Sequence, residues 1–371
     1  MEKTNQTDNE LIYKIALSII PGIGPKKARN LLSYVGNIKD IFYQKKSSLS
    51  KIPGISYNLA SNINQNIFEK AENEINFIQK NNIKAIFYLD KEYPKKLSYY
   101  DDSPILIYVK GDINFNKNKF LSIVGTRSMT HYGEENCKKL IEDLKNLNIN
   151  PIIVSGLAYG IDYCAHSSAL INSLKTIAIL GHGLDIIYPA AHKSIAEKIS
   201  NNGALISEFT HNSRVDSTNF VRRNRIIAAI SDATIIVESA KKGGSLITAE
   251  YGVQYSKDVF AFPGRTSDKY SEGCNFLIKT NRAAMIENAN DLIFALNWKK
   301  NNSPVQKNIF IKFSDEEQKI VDILKNKDML NVDTIAYETR LPINKVLAIL
   351  FNLEFKNAVK ALPGRMYKLT I

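Results

Sequence analysis

Two clusters of cations beside glycine turns are the residues in this chain best suited to chemistry. Arg127 follows Gly125 and Thr126, and Lys241 and Lys242 precede Gly243, Gly244 and Ser245. A third group, Arg222, Arg223 and Arg225, lies just upstream of the second. A glycine turn leading into a helix leaves backbone N–H groups free under a positive dipole, and guanidinium or ammonium groups beside it complete an anion site. The turn Ser155-Gly156 has the same character. Gly125, Thr126, Arg127, Ser155, Gly156, Arg222, Arg223, Arg225, Lys241, Lys242, Gly243, Gly244 and Ser245 are therefore the candidate phosphate-binding set. Helical spacing sends Arg222, Arg223 and Arg225 to different faces, so at least one is expected in solvent or paired with Asp232.

Catalytic groups are scarce. Val154-Ser155-Gly156 lacks the first glycine of a nucleophile elbow, and Cys164 and His166 sit two apart on an expected helix, facing different ways. The five histidines have no metal-ligand spacing, and no phosphate loop of the G-x-x-x-x-G-K-[ST] type occurs. Gly181-His182-Gly183 lacks the third glycine of a dinucleotide fingerprint. Asp162 and Asp185 follow glycine turns, where capping is the commoner role. The reading is a binding site with no catalytic residue, metal or cofactor. The net charge of +12 points to a polyanionic partner, nucleic acid before anionic membrane. Cys137, Cys164 and Cys274 are odd in number and form no CxxC pair, which fits a reducing compartment. The opening residues lack a signal-peptide layout and no apolar run is long enough for a bilayer, so a cytoplasmic location without membrane contact is expected.

The elements that must position these residues alternate regularly. Strands are expected at Ile83–Leu89, Ile105–Val109, Phe120–Val124, Pro151–Val154, Thr176–Leu180, Ala204–Glu208, Ala233–Val237 and Val259–Phe262. Helices are expected at Gly133–Leu147, Ile161–Ile171 and Phe220–Ala229, with one more opened by the stretch Lys241–Ser245. Such alternation with short glycine turns gives an α/β, doubly wound, mainly parallel sheet whose turns gather at the strands' carboxyl edge. Upstream, Ile20–Pro25 and Ile52–Ile55 are glycine hairpins between helices at Leu11–Ile19, Lys26–Tyr34 and Ser56–Phe68, in the helix-hairpin-helix pattern. For the first copy, with Lys26, Lys27 and Arg29, phosphate approach and simple packing both stand; the second, with Ser56 in place of a glycine, reads as packing. Downstream, Ser314–Glu317 is a capping box. It opens three helices, ending at Lys325 and spanning Val332–Thr339 and Ile343–Phe355, followed by a hairpin over Val359–Leu369. This is a winged-helix pattern. Its third helix carries only Lys345 and Lys356, which favours protein contact or packing over DNA reading. The expected domains are 1–78, helical; 79–298, the sheet; 299–308, a linker carrying Pro304; and 309–371, winged-helix-like.

Ile123–Arg127, Val154–Asp162 with His166, Gly183-Leu184-Asp185 through Tyr188-Pro189, Arg223–Ala228, Gly244–Ala249 and Phe262-Pro263-Gly264 with Gly273-Cys274-Asn275 resemble, in order, the motifs of the DNA-processing protein A (DprA, or Smf) family. The resemblance implies an extended Rossmann fold with a SAM-like N-terminal domain, binding single-stranded DNA without catalysis. It also implies a homodimer that protects incoming DNA and loads the RecA recombinase in natural transformation. It carries Arg127 over as the motif arginine and the basic residues around Arg223 and Lys242 as DNA contacts. Val221-Arg222 stands where a proline often precedes the RNR motif, and Lys242-Gly243 replaces a more neutral approach; both keep positive charge. A rival on the same sheet type is a nucleotide phosphoribohydrolase. Gly243, Gly244 and Glu250 suit it, while Lys242, Leu246 and Ile247 depart from its proline-glycine-glycine signature.

Overall fold

The structure, a computed structural model, describes residues 2–116, 118–298, 313–325, 327, 329–356, 358–362 and 365–369. The chain divides into two compact units, Met1–Asn301 and Asn302–Ile371. The expected linker 299–308 and the Pro363-Gly364 turn lie outside the described residues.

The first unit is built on nine strands: β1 (Lys84–Phe87), β2 (Leu106–Gly111), β3 (Phe120–Val124), β4 (Ile152–Ser155), β5 (Thr176–Leu180), β6 (Ala204–Ser207), β7 (Ala233–Ile236), β8 (Asp258–Ala261) and β9 (Ala284–Met285). Their order is β1-β2-β6-β5-β4-β3-β7-β8-β9. From β6 to β9 every pairing is parallel, whereas β1 and β2 add an antiparallel extension at the β6 edge. Strands β3 to β7 are buried along their full lengths, which is why they read as unbroken β-branched runs. The order runs outward from β3 through β4, β5 and β6, then resumes on β3's other side with β7. The sheet therefore has its topological switch point between β3 and β7, where an open α/β sheet leaves a crevice.

Six helices precede the sheet, and their apolar faces share one core with it: Ile15, Leu17 and Leu31 pack in the same cluster as Phe87, Tyr108 and Leu180. The helix expected over Ser56–Phe68 is instead two, Tyr57–Ser61 and Asn66–Lys80. Between them Asn62 donates to the Pro21 carbonyl at 2.9 Å, and the Asn64 side chain accepts from Asn66 N at 3.1 Å. Such Asn contacts compete with helix continuation. Ser56 caps the first piece by accepting from Leu59 N at 3.3 Å, which accounts for a serine in place of glycine. Arg29 does not face outward as a phosphate support. It donates to the Ser103 carbonyl at 3.2 Å and lies 4.4 Å over the Tyr88 ring.

In the second unit, helices Asp315–Lys325, Val332–Thr339 and Ile343–Phe355 pack with a three-stranded sheet, β10 (Leu330–Asn331), β12 (Met366–Leu369) and β11 (Val359–Leu362). The capping box is present in both directions: Ser314 N donates to Glu317 Oε2 at 2.8 Å and Glu317 N to Ser314 Oγ at 3.3 Å. The two cations of the third helix are both used internally, Lys345 on Glu316 and Lys356 on Glu317.

The centre of the sheet also fixes one protonation state. His166 is fully buried, and its Nδ1 lies 2.7 Å from Thr176 Oγ1, whose own proton goes to the Ile153 carbonyl at 2.9 Å. Nδ1 is therefore the donor, and the ring is neutral. Burial, reinforced by the nearby Arg223 charge, pushes His166 down to about 3 from its usual 6.5. The unfolded chain takes up this proton below its usual pKa and the folded chain does not. His166 therefore withdraws stability as pH falls through that window, by about 1.4 kcal/mol per pH unit. Urea titrations between about pH 6 and pH 4 should show a shallower acid slope for His166→Asn than for the wild type; equal slopes would contradict the assignment.

Candidate nucleic-acid interface

The turn after β3 is fixed by its own backbone. Thr126 N donates to the Glu238 carbonyl at 2.8 Å, and the Thr126 carbonyl accepts from Ile161 N at 3.1 Å. These bonds join the ends of β3 and β7 to the start of the helix Ile161–Ile171. The Glu238 carboxylate is buried and accepts from Thr130 N at 2.9 Å and Thr130 Oγ1 at 2.5 Å, closing the far side of the turn. Arg127 is left pointing outward, exposed and without an ion pair among the described residues.

The turn after β4 is internal. Ser155 is fully buried and donates to the Ile123 carbonyl at 2.7 Å. Asp162 accepts from Gly156 N at 3.1 Å and Ala158 N at 3.3 Å, folding the loop back on the helix it precedes. Between them Leu157 takes a left-handed φ of 61°, fully buried, with its carbonyl 2.8 Å from His192 Nδ1. A β-carbon at Gly156 would collide with the Arg223 guanidinium, so glycine is required by that close approach.

The three arginines divide by face. Arg223 is 4% exposed; it donates to the Gly156 carbonyl at 2.7 Å and also to the Ile179 carbonyl. Burial lowers its pKa to about 10, with Asp162 acting in the opposite direction and Arg127 adding to the depression. Asp162, itself buried, is pushed up by desolvation and drawn back chiefly by Arg223. Arg225 is 5% exposed and bonds the Asp102 carbonyl and Glu208. Arg222 alone is exposed, 2.9 Å from the same Glu208 carboxylate. None pairs with Asp232, which holds Lys96 at 2.7 Å. The sequence signal for this division is present in hindsight: Arg223 stands three, four and seven residues before Ile226, Ile227 and Ile230, all buried, on the apolar stripe. Glu208, which holds Arg222 and Arg225, and Glu238, which closes the turn after β3, carried no such signal.

After β7, the helix Gly244–Gln254 begins with no side-chain cap on its N-terminus. Ser245 Oγ donates to Ser239 Oγ at 2.9 Å and so serves the turn itself. Gly244 has open space where a side chain would project. Lys241 and Lys242 are exposed and have no ion pair among the described residues. A cleft of about 550 Å³ lies at the switch point, lined by Gly125, Thr126, Arg127, Arg223, Gly243 and Gly244 among others, with Asp162 on its wall. Ser155, Gly156, Arg222, Arg225, Lys241 and Lys242 do not line it; the two lysines flank it in sequence. Glu250 lies outside the cleft, where it holds Arg282 at 2.8 Å on the surface. Among the described residues no group of three or more His, Cys, Asp or Glu could hold a metal, and no helix is long and apolar enough to cross a membrane.

Residues 84–297 match the model of the DNA recombination-mediator protein A family, residues 15–64 that of a SAM-like helix-hairpin-helix tandem, and residues 312–365 that of a DprA winged helix domain. The chain is 32% identical over 298 residues to Protein Smf of Synechocystis, covering 78% of this chain and 73% of that protein. It is 38% identical over 205 residues to DNA processing protein DprA of Streptococcus pneumoniae, covering 55% and 71%. The X-ray structure of the pneumococcal protein superposes with a TM-score of 0.64 at 31% identity, over 76% of this chain and 97% of that one. A structure describing the single-stranded DNA binding mode of DNA processing protein A from Helicobacter pylori gives 0.52 at 30% identity, over 58% and 95%. With the switch-point cleft and the ordered motifs around it, these matches establish that the chain belongs to the DNA recombination-mediator protein A (DprA/Smf) family.

Proposed function

We propose that this protein holds single-stranded DNA by its phosphates in the cleft between the Gly125–Arg127 and Gly243–Ser245 turns, and delivers it to recombination without chemical change. The observation that carries the reading is the pairing, at one crevice, of an uncapped helix N-terminus with exposed, unpaired Arg127, the exposed and unpaired Lys241 and Lys242 coming just before that helix in the chain. Free N–H groups and cations at one place favour an anion strongly. The volume is that of a small-ligand site. The relative from H. pylori, whose single-stranded DNA binding is described, supports the choice of strand. In this division of labour residues 79–298 hold the strand, the helical segment 1–78 braces the sheet, and residues 309–371 follow a linker at 299–308. Family membership supports a homodimer as the working form and RecA as the recipient of the strand. No residue in the cleft is arranged as a nucleophile with its base, and Glu250 is turned to Arg282, which favours binding over nucleotide hydrolysis.

The contact residues in this reading are Arg127, Lys241, Lys242 and the backbone N–H groups of Arg127, Gly244 and Ser245, with Arg222 at the margin; those of Thr126 and Gly243 are already used on Glu238 and Ala240. Arg223, in the cleft wall with its guanidinium turned to the Gly156 and Ile179 carbonyls, and Arg225, outside the lining, act as supports for the loops. Affinity for an unstructured oligothymidylate should exceed that for a duplex of equal length. It should fall with salt by about 0.7 log units per log unit for each phosphate held. Equal binding of both forms would contradict the cleft as the site. Arg127→Glu should weaken single-strand binding about a hundredfold, equivalent to ~3 kcal/mol, while leaving the urea midpoint unchanged. Arg223→Met should do the reverse in stability, lowering the unfolding free energy by about 3 kcal/mol because two buried carbonyls and Asp162 lose their cation. A stable Arg223→Met protein that had lost binding alone would place Arg223 among the contacts.

A further inference from the structure

Beside the phosphate cleft lies an aromatic ledge that phosphate binding does not use. Tyr159 and Tyr163 are 50% and 40% exposed, although both rings pack on a buried histidine. The Tyr159 ring meets His192 edge-on at 4.8 Å, and the Tyr163 ring lies at 4.8 Å with a 35° tilt. His192 is in turn held by the Leu157 carbonyl, so the ledge is fixed to the same loop that Asp162 and Arg223 shape. Its position is continuous with the cleft: Ala158 lines the cleft, and Tyr159 is the next residue. On its far side Tyr163 lines a separate groove of about 170 Å³ with Ser167, Leu170, Ile171 and Lys198. No acidic residue lines that groove, and Lys198 is exposed without an ion pair among the described residues.

Large, half-exposed tyrosines held rigid by a buried partner present flat π-faces at little entropic cost, and a cation beyond them suits the next phosphate. Their neighbour, the cleft, supplies the chain that would cross them. We propose that Tyr159 and Tyr163 form a base-stacking platform for the single strand leaving the phosphate cleft, with Lys198 engaging a phosphate in the adjoining groove; this rests on the single-strand reading above. Stacking accepts every base, so the platform adds affinity without sequence preference and discriminates against duplex, whose bases are already stacked.

The test compares the full chain and its variants on an oligothymidylate and on an oligomer of the same length and backbone whose sugars carry no bases, by fluorescence anisotropy. The wild type should bind the oligothymidylate more tightly than the abasic oligomer. The double variant Tyr159→Ala, Tyr163→Ala should lose about tenfold on the oligothymidylate and nothing on the abasic oligomer, with an unchanged salt slope. Retained abasic binding also certifies that the variant is folded. Tyr159→Phe with Tyr163→Phe should keep wild-type affinity for both. Lys198→Gln should lower the salt slope by about 0.7 on both oligomers. Equal losses on the two oligomers, or none on either, would overturn the platform while leaving the phosphate cleft standing, the second outcome pointing to a protein contact at the ledge. A wild type that binds neither oligomer would overturn both readings.

Discussion

The site depends on one buried cation. Arg223 lies almost wholly buried in the cleft wall, bonded to the carbonyls of Gly156 and Ile179, with Asp162 drawing its charge. A guanidinium taken out of water is costly unless its donors are used and a counter-charge is near. Here two carbonyls, one following β4 and one within β5, are tied to the helix Ser217–Ile230 by a single side chain, and Asp162 holds the loop from which one of those carbonyls comes. The buried charge thus sets the geometry of the turn between β4 and its helix. Through Leu157 and His192 it also reaches the tyrosines outside.

This arrangement separates cations that shape the protein from cations that meet a ligand. Arg223, Arg225 and Arg29 spend their donors on protein carbonyls or Glu208. Arg127, Lys241 and Lys242 spend none among the described residues. The turn backbone that carries Arg127 is already stationary without phosphate, because the bonds of Thr126 to Glu238 and Ile161 exist without it. Pre-organisation of that kind reduces the ordering cost of binding.

Much of the fold was legible because the central strands are buried on both faces. The runs Phe120–Val124 and Thr176–Leu180 coincide with β3 and β5, and Ile161–Ile171 with its helix. What sequence could not supply was pairing. Nothing local says that β1 and β2 add antiparallel to β6, or that two residues, Ala284 and Met285, suffice for an edge strand. The helix over Ser56–Phe68 was broken by asparagine contacts made partly to a residue some forty positions away. At the site, glycine turns and nearby cations located the crevice, but residue type alone could not separate Arg222 from Arg223. The apolar stripe through Ile226, Ile227 and Ile230 carried that information. The pairing of Glu208 with Arg222 and Arg225 and of Glu238 with Thr130 is defined only by the folded chain, and so is the exposure of Tyr159 and Tyr163.

In the proposed complex the strand's phosphates meet free backbone N–H groups at the two turns flanking the switch point. Amide hydrogen exchange, followed peptide by peptide with and without an oligothymidylate, reads those N–H groups directly. Added protection is expected at Arg127, Gly244 and Ser245, whose N–H groups are not spent on the neighbouring carbonyls that hold Thr126 and Gly243, with little change in the helix Ile343–Phe355. Protection confined to that helix, with both turns exchanging as in the free protein, would contradict it.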